Sequence, residues 1–172
     1  MLEWFKNKDV AIIGGAESLF DQGYGKTIDQ HEVIVRINRS VIIKDQEHQG
    51  SRTDYWAIGH HKTVEDLFDK ISCKNFHLSH KRPKTPHPKI DFYLPMDLLN
   101  NLRLNLGHEK PSSGLMALDY INNCNPKSIT IYGFDWRETP TWYYTDTDYQ
   151  PHDWNLEKKY IITNFKHIKV CN

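Results

Sequence analysis

The strongest constraint on the fold is a recurring junction in which a short, β-branched run ends on glycine or a polar turn. Asp9–Ile13 (DVAII) stops at Gly14-Gly15, Glu32–Ile37 (EVIVRI) at Asn38, Asp54–Ile58 (DYWAI) at Gly59, and Ser128–Tyr132 (SITIY) at Gly133. Short, nearly continuous apolar runs of this kind suit strands buried on both faces. Val41–Ile43, Asn75–Leu78, Ile90–Leu94 and His167–Val170 read as further strands. Between them, His61–Ile71, Met96–Leu106, Ser112–Asn123 and Asp153–Asn164 carry apolar residues at helical spacing. Alternating strands and helices predict an α/β sheet with helices on both faces. A length of 172 residues fits one domain, 1–172. In such sheets ligands sit at the carboxyl ends of strands. That rule selects Gly14-Gly15, Arg36-Ile37-Asn38, Gly59-His60-His61 and Gly133-Phe134-Asp135.

Charge narrows the partners. Lys plus Arg and Asp plus Glu both number 22, so nucleic acid or an anionic membrane gains no support from net charge. No apolar run approaches the roughly 20 residues of a membrane span. The N-terminal residues lack an apolar core of signal-peptide length. The three cysteines, Cys73, Cys124 and Cys171, are widely spaced, with no metal or redox motif. The expectation is a cytoplasmic protein.

Three segments carry candidate chemistry. The first is the turn after Asp9–Ile13, where Gly14, Gly15 and Ser18 would let backbone N–H groups approach a phosphate. It is equally compatible with ordinary turn chemistry, and it is not the G-x-G-x-x-G pattern of dinucleotide sites. The second is Pro111-Ser112-Ser113-Gly114, where two hydroxyls and free N–H groups open a helix and suit an anion; plain N-capping is the simpler alternative. The third is Trp142–Glu157. Tyr143 and Tyr144 offer phenol donors there, and four residues separate His152 from Glu157. A histidine just before a helix start lies near its positive end, although a lone histidine is commonly structural.

Taken together and in order, these segments resemble the sialyltransferases of glycosyltransferase family 29. The family's long motif corresponds to VAIIGGAESLFDQGYGKTIDQHEVIVRINRS, with Gly14, Leu19, Gly23, Gly25, Ile28-Asp29, His31, Val33, Arg36 and Asn38 in place. Its short motif corresponds to PSSGLMALDYINNCNPKSITIYGF, Pro111 to Phe134. A third aromatic motif resembles Trp142-Tyr143-Tyr144-Thr145, and the fourth matches His152 and Glu157. The resemblance implies a Rossmann-like sheet of about six to seven mainly parallel strands. It implies a CMP-sugar donor, a glycan or other hydroxyl acceptor, and inversion without metal or cofactor. His152 would be the general base, with Glu157 orienting it or capping nearby backbone. Asn38, Ser112, Ser113, Gly114, Tyr143 and Tyr144 would hold the nucleotide. An imidazole, with an ordinary pKa of about 6.5, suits the base role.

The chain departs from the family pattern where Gly14-Gly15 replaces Gly-Asn, where Ser112-Ser113 replaces Ser-Thr, and where no cysteine stands in the long motif to bridge Cys124. Other readings remain open at this level. Asp146-Thr147-Asp148 spells D-x-D, which in other glycosyltransferases holds a metal and a nucleotide diphosphate sugar. A non-catalytic nucleotide-binding module would need the same turns but no base. The basic stretch His80–Lys89 reads as an exposed loop. Its Lys81, Arg82, Lys84 and Lys89 would meet a phosphate polyanion if the acceptor were a hydroxylated DNA base. His60 and His61 are weak candidates for an acceptor pocket.

Overall fold

The central apolar runs become strands because neither of their faces reaches water. In a computed structural model the strands are β1 (Asp9–Ile13), β2 (Val33–Ile37), β3 (Tyr55–Ile58), β4 (Lys74–His77), β5 (Phe92–Tyr93), β6 (Ser128–Tyr132) and β7 (Ile168–Cys171). The structure describes residues 2–78, 80, 84–143, 152–165 and 167–171. All seven strands are parallel, in the order β5-β4-β3-β2-β1-β6-β7. The helices are α1 (Gly25–Asp29), α2 (Gln46–Gln49), α3 (Met96–Leu106), α4 (Ser113–Asn122) and α5 (Trp154–Asn164).

Alternation along each strand divides the core into layers. Val10, Ile12, Val33, Val35 and Ala57 face one side, where they pack with Leu99 and Leu102 of α3, Leu115 and Leu118 of α4, and Ile161 of α5. Ala11, Ile13 and Ile34 face the other side with Leu19 and Ile28. Trp56 and Ile58 form a further cluster there with Val41, Val64 and Leu67. Coverage of both faces is what allows an all-parallel sheet.

Conserving strand direction forces a reversal of winding at β1. The chain runs outward from β1 to β5 on one side, then returns to place β6 and β7 on the other. Ile13 is level with both Arg36 and Tyr132. The crevice for a ligand therefore opens beyond the carboxyl ends of β1 and β6.

Three local expectations are corrected. Val41–Ile43 is no strand: the chain turns into a 3-10 segment over Asn38–Val41, because buried Ser40 accepts from the Ile37 N–H at 2.8 Å and donates to the Ile13 carbonyl at 2.9 Å. His61–Ile71 is 3-10 over His61–Leu67 rather than an α-helix. Ile90–Leu94 pairs only at Phe92–Tyr93.

Much of the long motif is scaffold. Arg36 is fully buried; it donates to the carbonyls of Arg52 and Gln49 and to the Thr53 hydroxyl, and burial lowers its pKa to about 10. Asp29 accepts from the Ser51 and Arg52 N–H groups. A Cβ on Gly25 would lie 1.9 Å from the Gln46 carbonyl oxygen, so α1 and α2 meet only because that side chain is absent.

Candidate active site

A cleft of about 440 Å³ opens where the winding reverses, a size that suits a small ligand. Its floor comes from four strand ends: Gly14-Gly15 after β1, Asn38 after β2, Gly59-His60 after β3 and Gly133 to Arg137 after β6. The strands can converge here because side chains are missing. A Cβ on Gly14 would lie 2.3 Å from the Gly133 carbonyl oxygen, and one on Gly59 would lie 2.0 Å from Ser113 Oγ. Asn38 takes a left-handed backbone, φ 50°, a conformation asparagine tolerates better than most residues. Its Oδ1 accepts from the Gly59 N–H at 2.7 Å and its carbonyl from Trp56 Nε1 at 2.7 Å, so its side chain is fixed across two strand ends.

The positive ends of α4 and α5 meet at this cleft. Ser112 caps α4 by accepting from the Leu115 N–H at 3.1 Å, and Asp153 caps α5 by accepting from Leu156 at 2.9 Å. Glu157, in the first turn of α5, ties the two helices. Its Oε1 accepts from the Ser112 N–H and its Oε2 from the Ser112 hydroxyl, both at 2.6 Å. The carboxylate is 3% exposed, and burial pushes its pKa up to about 7 against the pull of the two Ser112 bonds. Of the two positions left open by the sequence, Glu157 holds backbone and hydroxyl of Ser112. No bond to His152 is found among the described residues. The Ser112 hydroxyl is thereby spent on the cap and on Glu157, while Ser113 and Gly114 line the cleft.

His152 also lines the cleft. Its Nδ1 sits 2.8 Å from the Lys110 carbonyl, which can only accept, so Nδ1 carries the proton and Nε2 of the neutral ring is a bare acceptor. Burial lowers the pKa below 6.5, the Lys110 bond opposes this, and the charges of His108, Arg137 and Lys110 lower it further. The ring is consequently neutral at pH 7.

The remaining predicted residues are placed unevenly. Ser18 is absent from the cleft lining; its hydroxyl donates to Asp135 at 3.0 Å. Tyr143 lines the cleft, and burial pushes its phenol up to about 12, so it stays a donor. Tyr144, Asp146 and Asp148 lie outside the described residues, as do Lys81 and Arg82. Lys89 pairs with Asp69 at 2.6 Å. His60 lines the cleft, while His61 begins the 3-10 segment. Among the described residues no group of three His, Cys, Asp or Glu could hold a metal ion. The described cysteines are free. No described helix is long and apolar enough to cross a membrane.

Arg137 and His80 are cleft residues that the sequence reading did not single out. Trp136 and Arg137 both take left-handed backbones, φ 53° and 69°, a strained pair for non-glycine residues. Buried Asp135 holds that turn, accepting from the Arg137 N–H at 3.1 Å, the Thr139 N–H at 3.0 Å and the Thr139 hydroxyl. The turn carries the Arg137 charge to the cleft. The other residue is His80, which begins the supposed solvent loop yet is half-buried in the cleft wall. The rule of strand carboxyl ends would have pointed there had it been applied to β4 as well.

The Gly14-Gly15 departure also has a structural reason. A Cβ on Gly15 would lie 2.4 Å from the Tyr143 ring. The phenol of Tyr143 occupies the space a side chain at position 15 would need. Gly15→Asn should therefore displace Tyr143 and lower stability in urea unfolding by about 1–3 kcal/mol, the cost of overpacking a filled site; an unchanged unfolding midpoint would contradict this.

Comparison with known proteins agrees with the geometry. Residues 6–70 match the model of glycosyltransferase family 29 (sialyltransferase), a stretch that holds the long motif. No curated protein matches. Among solved structures, a mammalian sialyltransferase shares the fold with TM-score 0.68 at 17% identity, over 95% of this chain and 68% of that one. A mammalian sialyltransferase in complex with Gal-beta-1-3GalNAc-ortho-nitrophenol gives 0.67 at 17% identity, over 95% and 69%. The sialyltransferase CstII from Campylobacter jejuni in complex with cytidine-5'-monophosphate gives 0.62 at 15% identity, over 96% and 80%. At these identities the structural likeness speaks to the Rossmann-like fold, and the family match covers its first three strands.

Proposed function

We propose that the chain, whose residues 6–70 match the sialyltransferase family model, is a glycosyltransferase of that type: it moves a sugar from a CMP-linked donor to an acceptor hydroxyl, with inversion, without a metal, and with His152 as general base. The observation that carries this reading is the fixed tautomer of His152. Its Nε2 is a bare acceptor in a cleft that also holds the N-terminus of α4. A base so placed takes the proton of the acceptor hydroxyl as the oxygen attacks the sugar carbon and the bond to the nucleotide phosphate breaks.

The leaving group is a nucleoside monophosphate, which needs charge stabilisation more than a proton. The N–H groups of Ser113 and Gly114, the Tyr143 phenol and the Arg137 charge supply this. Single displacement is supported by the two carboxylates among the described cleft residues. A retaining route needs a free nucleophile, but Glu157 is bonded to Ser112, and Asp135 to Ser18, Thr139 and Arg137. Asn38, bonded to Trp56 and Gly59, meets the nucleoside in this reading. The three free cysteines fit a reducing, cytoplasmic setting.

Titration calorimetry with CMP, UDP and GDP, with and without EDTA, tests the donor. CMP should bind at least about tenfold more tightly than the diphosphates, and transfer should survive EDTA. A preference for UDP, with activity abolished by EDTA and restored by Mn²⁺, would contradict the reading and return attention to Asp146 and Asp148.

A further inference from the structure

Two histidines line the cleft with fixed and opposite hydrogen-bonding character. His152 gives its Nδ1 proton to the Lys110 carbonyl and keeps Nε2 bare. His80 does the reverse. Its Nδ1 lies 3.3 Å from Arg103 Nη2, and the same Nη2 donates to the His80 carbonyl at 2.9 Å. A guanidinium has only donors, so His80 Nδ1 must accept, and the proton of the neutral ring sits on Nε2. Arg103 is itself held in place: on α3, its Nε donates to the Glu109 carbonyl at 3.0 Å and its Nη1 to Asn100 Oδ1 at 3.3 Å.

The charges facing His80 keep it neutral. Burial pushes its pKa down to about 4, and the positive charges of Arg103, His152 and Lys110 act in the same direction. No other partner of the His80 ring is found among the described residues, and the ring lines the cleft. Both histidines stand against Lys110, one on its carbonyl and the other within reach of its charge. They therefore share one end of the site.

Resting on the transferase reading above, we propose that His80 is an acceptor-binding residue. Its Arg103-fixed Nε2–H donates to an oxygen of a polyhydroxyl acceptor, beside the hydroxyl that His152 deprotonates. A neutral, fixed donor suits a neutral hydroxyl or ring oxygen, whereas the departing phosphate is served by a cation and helix termini. The opposed tautomers also enforce polarity. A hydroxyl that must give up its proton fits at His152 and an oxygen that must accept one fits at His80, so only one orientation of the acceptor satisfies both.

Two kinds of measurement test this. In the wild-type protein, ¹H–¹⁵N correlation spectra of the histidine rings near pH 7 should show the Nε2–H form at His80 and the Nδ1–H form at His152. Arg103→Met should release His80 into a tautomer mixture without changing His152. In kinetics, His80→Phe should raise the acceptor KM roughly three- to tenfold, the loss of one neutral hydrogen bond. The donor KM, CMP affinity and acid limb of the pH profile should stay as in wild type, and His80→Gln, which keeps an N–H donor, should recover most of the loss. An Nδ1–H form at His80 would overturn the proposal. So would a folded His80→Phe or His80→Gln variant whose effect falls on the donor, or a His80→Phe variant with unchanged acceptor KM. If no CMP-linked sugar is transferred at all, the transferase reading and the acceptor role both fail, and the spectra separately decide whether the opposed tautomers exist.

Discussion

Replacing His152 with alanine is expected to lower kcat for transfer by roughly 10²–10⁴ while leaving CMP affinity nearly unchanged. The separation follows from geometry. The groups proposed to hold the nucleotide are Asn38, the N-terminus of α4 and Tyr143, and none of them is bonded to His152 among the described residues. His152 is positioned through Lys110, so its removal takes away the proton acceptor and leaves the anion site standing. His152→Gln should be equally inactive, since an amide cannot take the proton. The pH profile adds a second reading. Burial lowers the His152 pKa below 6.5, and a general base acts in its neutral form. Wild-type kcat/KM should therefore rise through one ionisation below pH 6.5 and stay level through neutrality. Residual activity in His152→Ala should lack that acid limb. An unchanged limb would assign it to another group.

The second large effect is expected at Glu157, and it is one of assembly. Glu157→Ala leaves the N–H and hydroxyl of Ser112 without their acceptor in a site that is 8% exposed. An unmet buried donor costs about 1–3 kcal/mol, so the pair should cost roughly 2–5 kcal/mol in urea unfolding. Because the bond joins the starts of α4 and α5, CMP affinity should fall with stability, unlike in His152→Ala. Glu157→Gln should be milder, since its carbonyl still accepts from the Ser112 N–H and its amide can donate to the Ser112 oxygen. The two side chains should also differ in pH dependence. The folded-state pKa of Glu157 is raised from 4.5 to about 7, so the folded state holds the proton more tightly. That contribution is fully present below pH 4.5 and is lost as pH rises through about 7, on the order of 3 kcal/mol. Wild type should lose stability over this window and Glu157→Gln should not. Parallel pH curves for the two proteins would contradict the burial argument.

The sequence carried the sheet further than it carried the site. β1 and β6 were legible to the residue because an unbroken apolar run followed by glycine has few other solutions in a doubly covered sheet. Val41–Ile43 misled because three apolar residues in a row look the same in a strand and in a turn packed on the core; buried Ser40, bonding back to Ile37, decided the matter. In the site, the spacing from His152 to Glu157 was visible, but its meaning was not. The two residues flank one helix start and face different partners, Lys110 and Ser112, both distant in sequence. His80 was hidden by its company, since a stretch rich in lysine and proline reads as solvent-exposed whatever its first residue does. The replacement of the expected amide by Gly15 looked like a loss, and only the Tyr143 ring, 128 positions away along the chain, shows what fills that space.

The most direct test of the central claim is a time course of CMP release from CMP-sialic acid with a panel of hydroxyl acceptors, run on wild type and His152→Ala in the presence of EDTA, with the product anomer read by NMR. The account predicts acceptor-dependent release by wild type, an inverted product, and loss of release in His152→Ala at unchanged CMP affinity. Equal release by the two proteins, or a product that retains configuration, would contradict it.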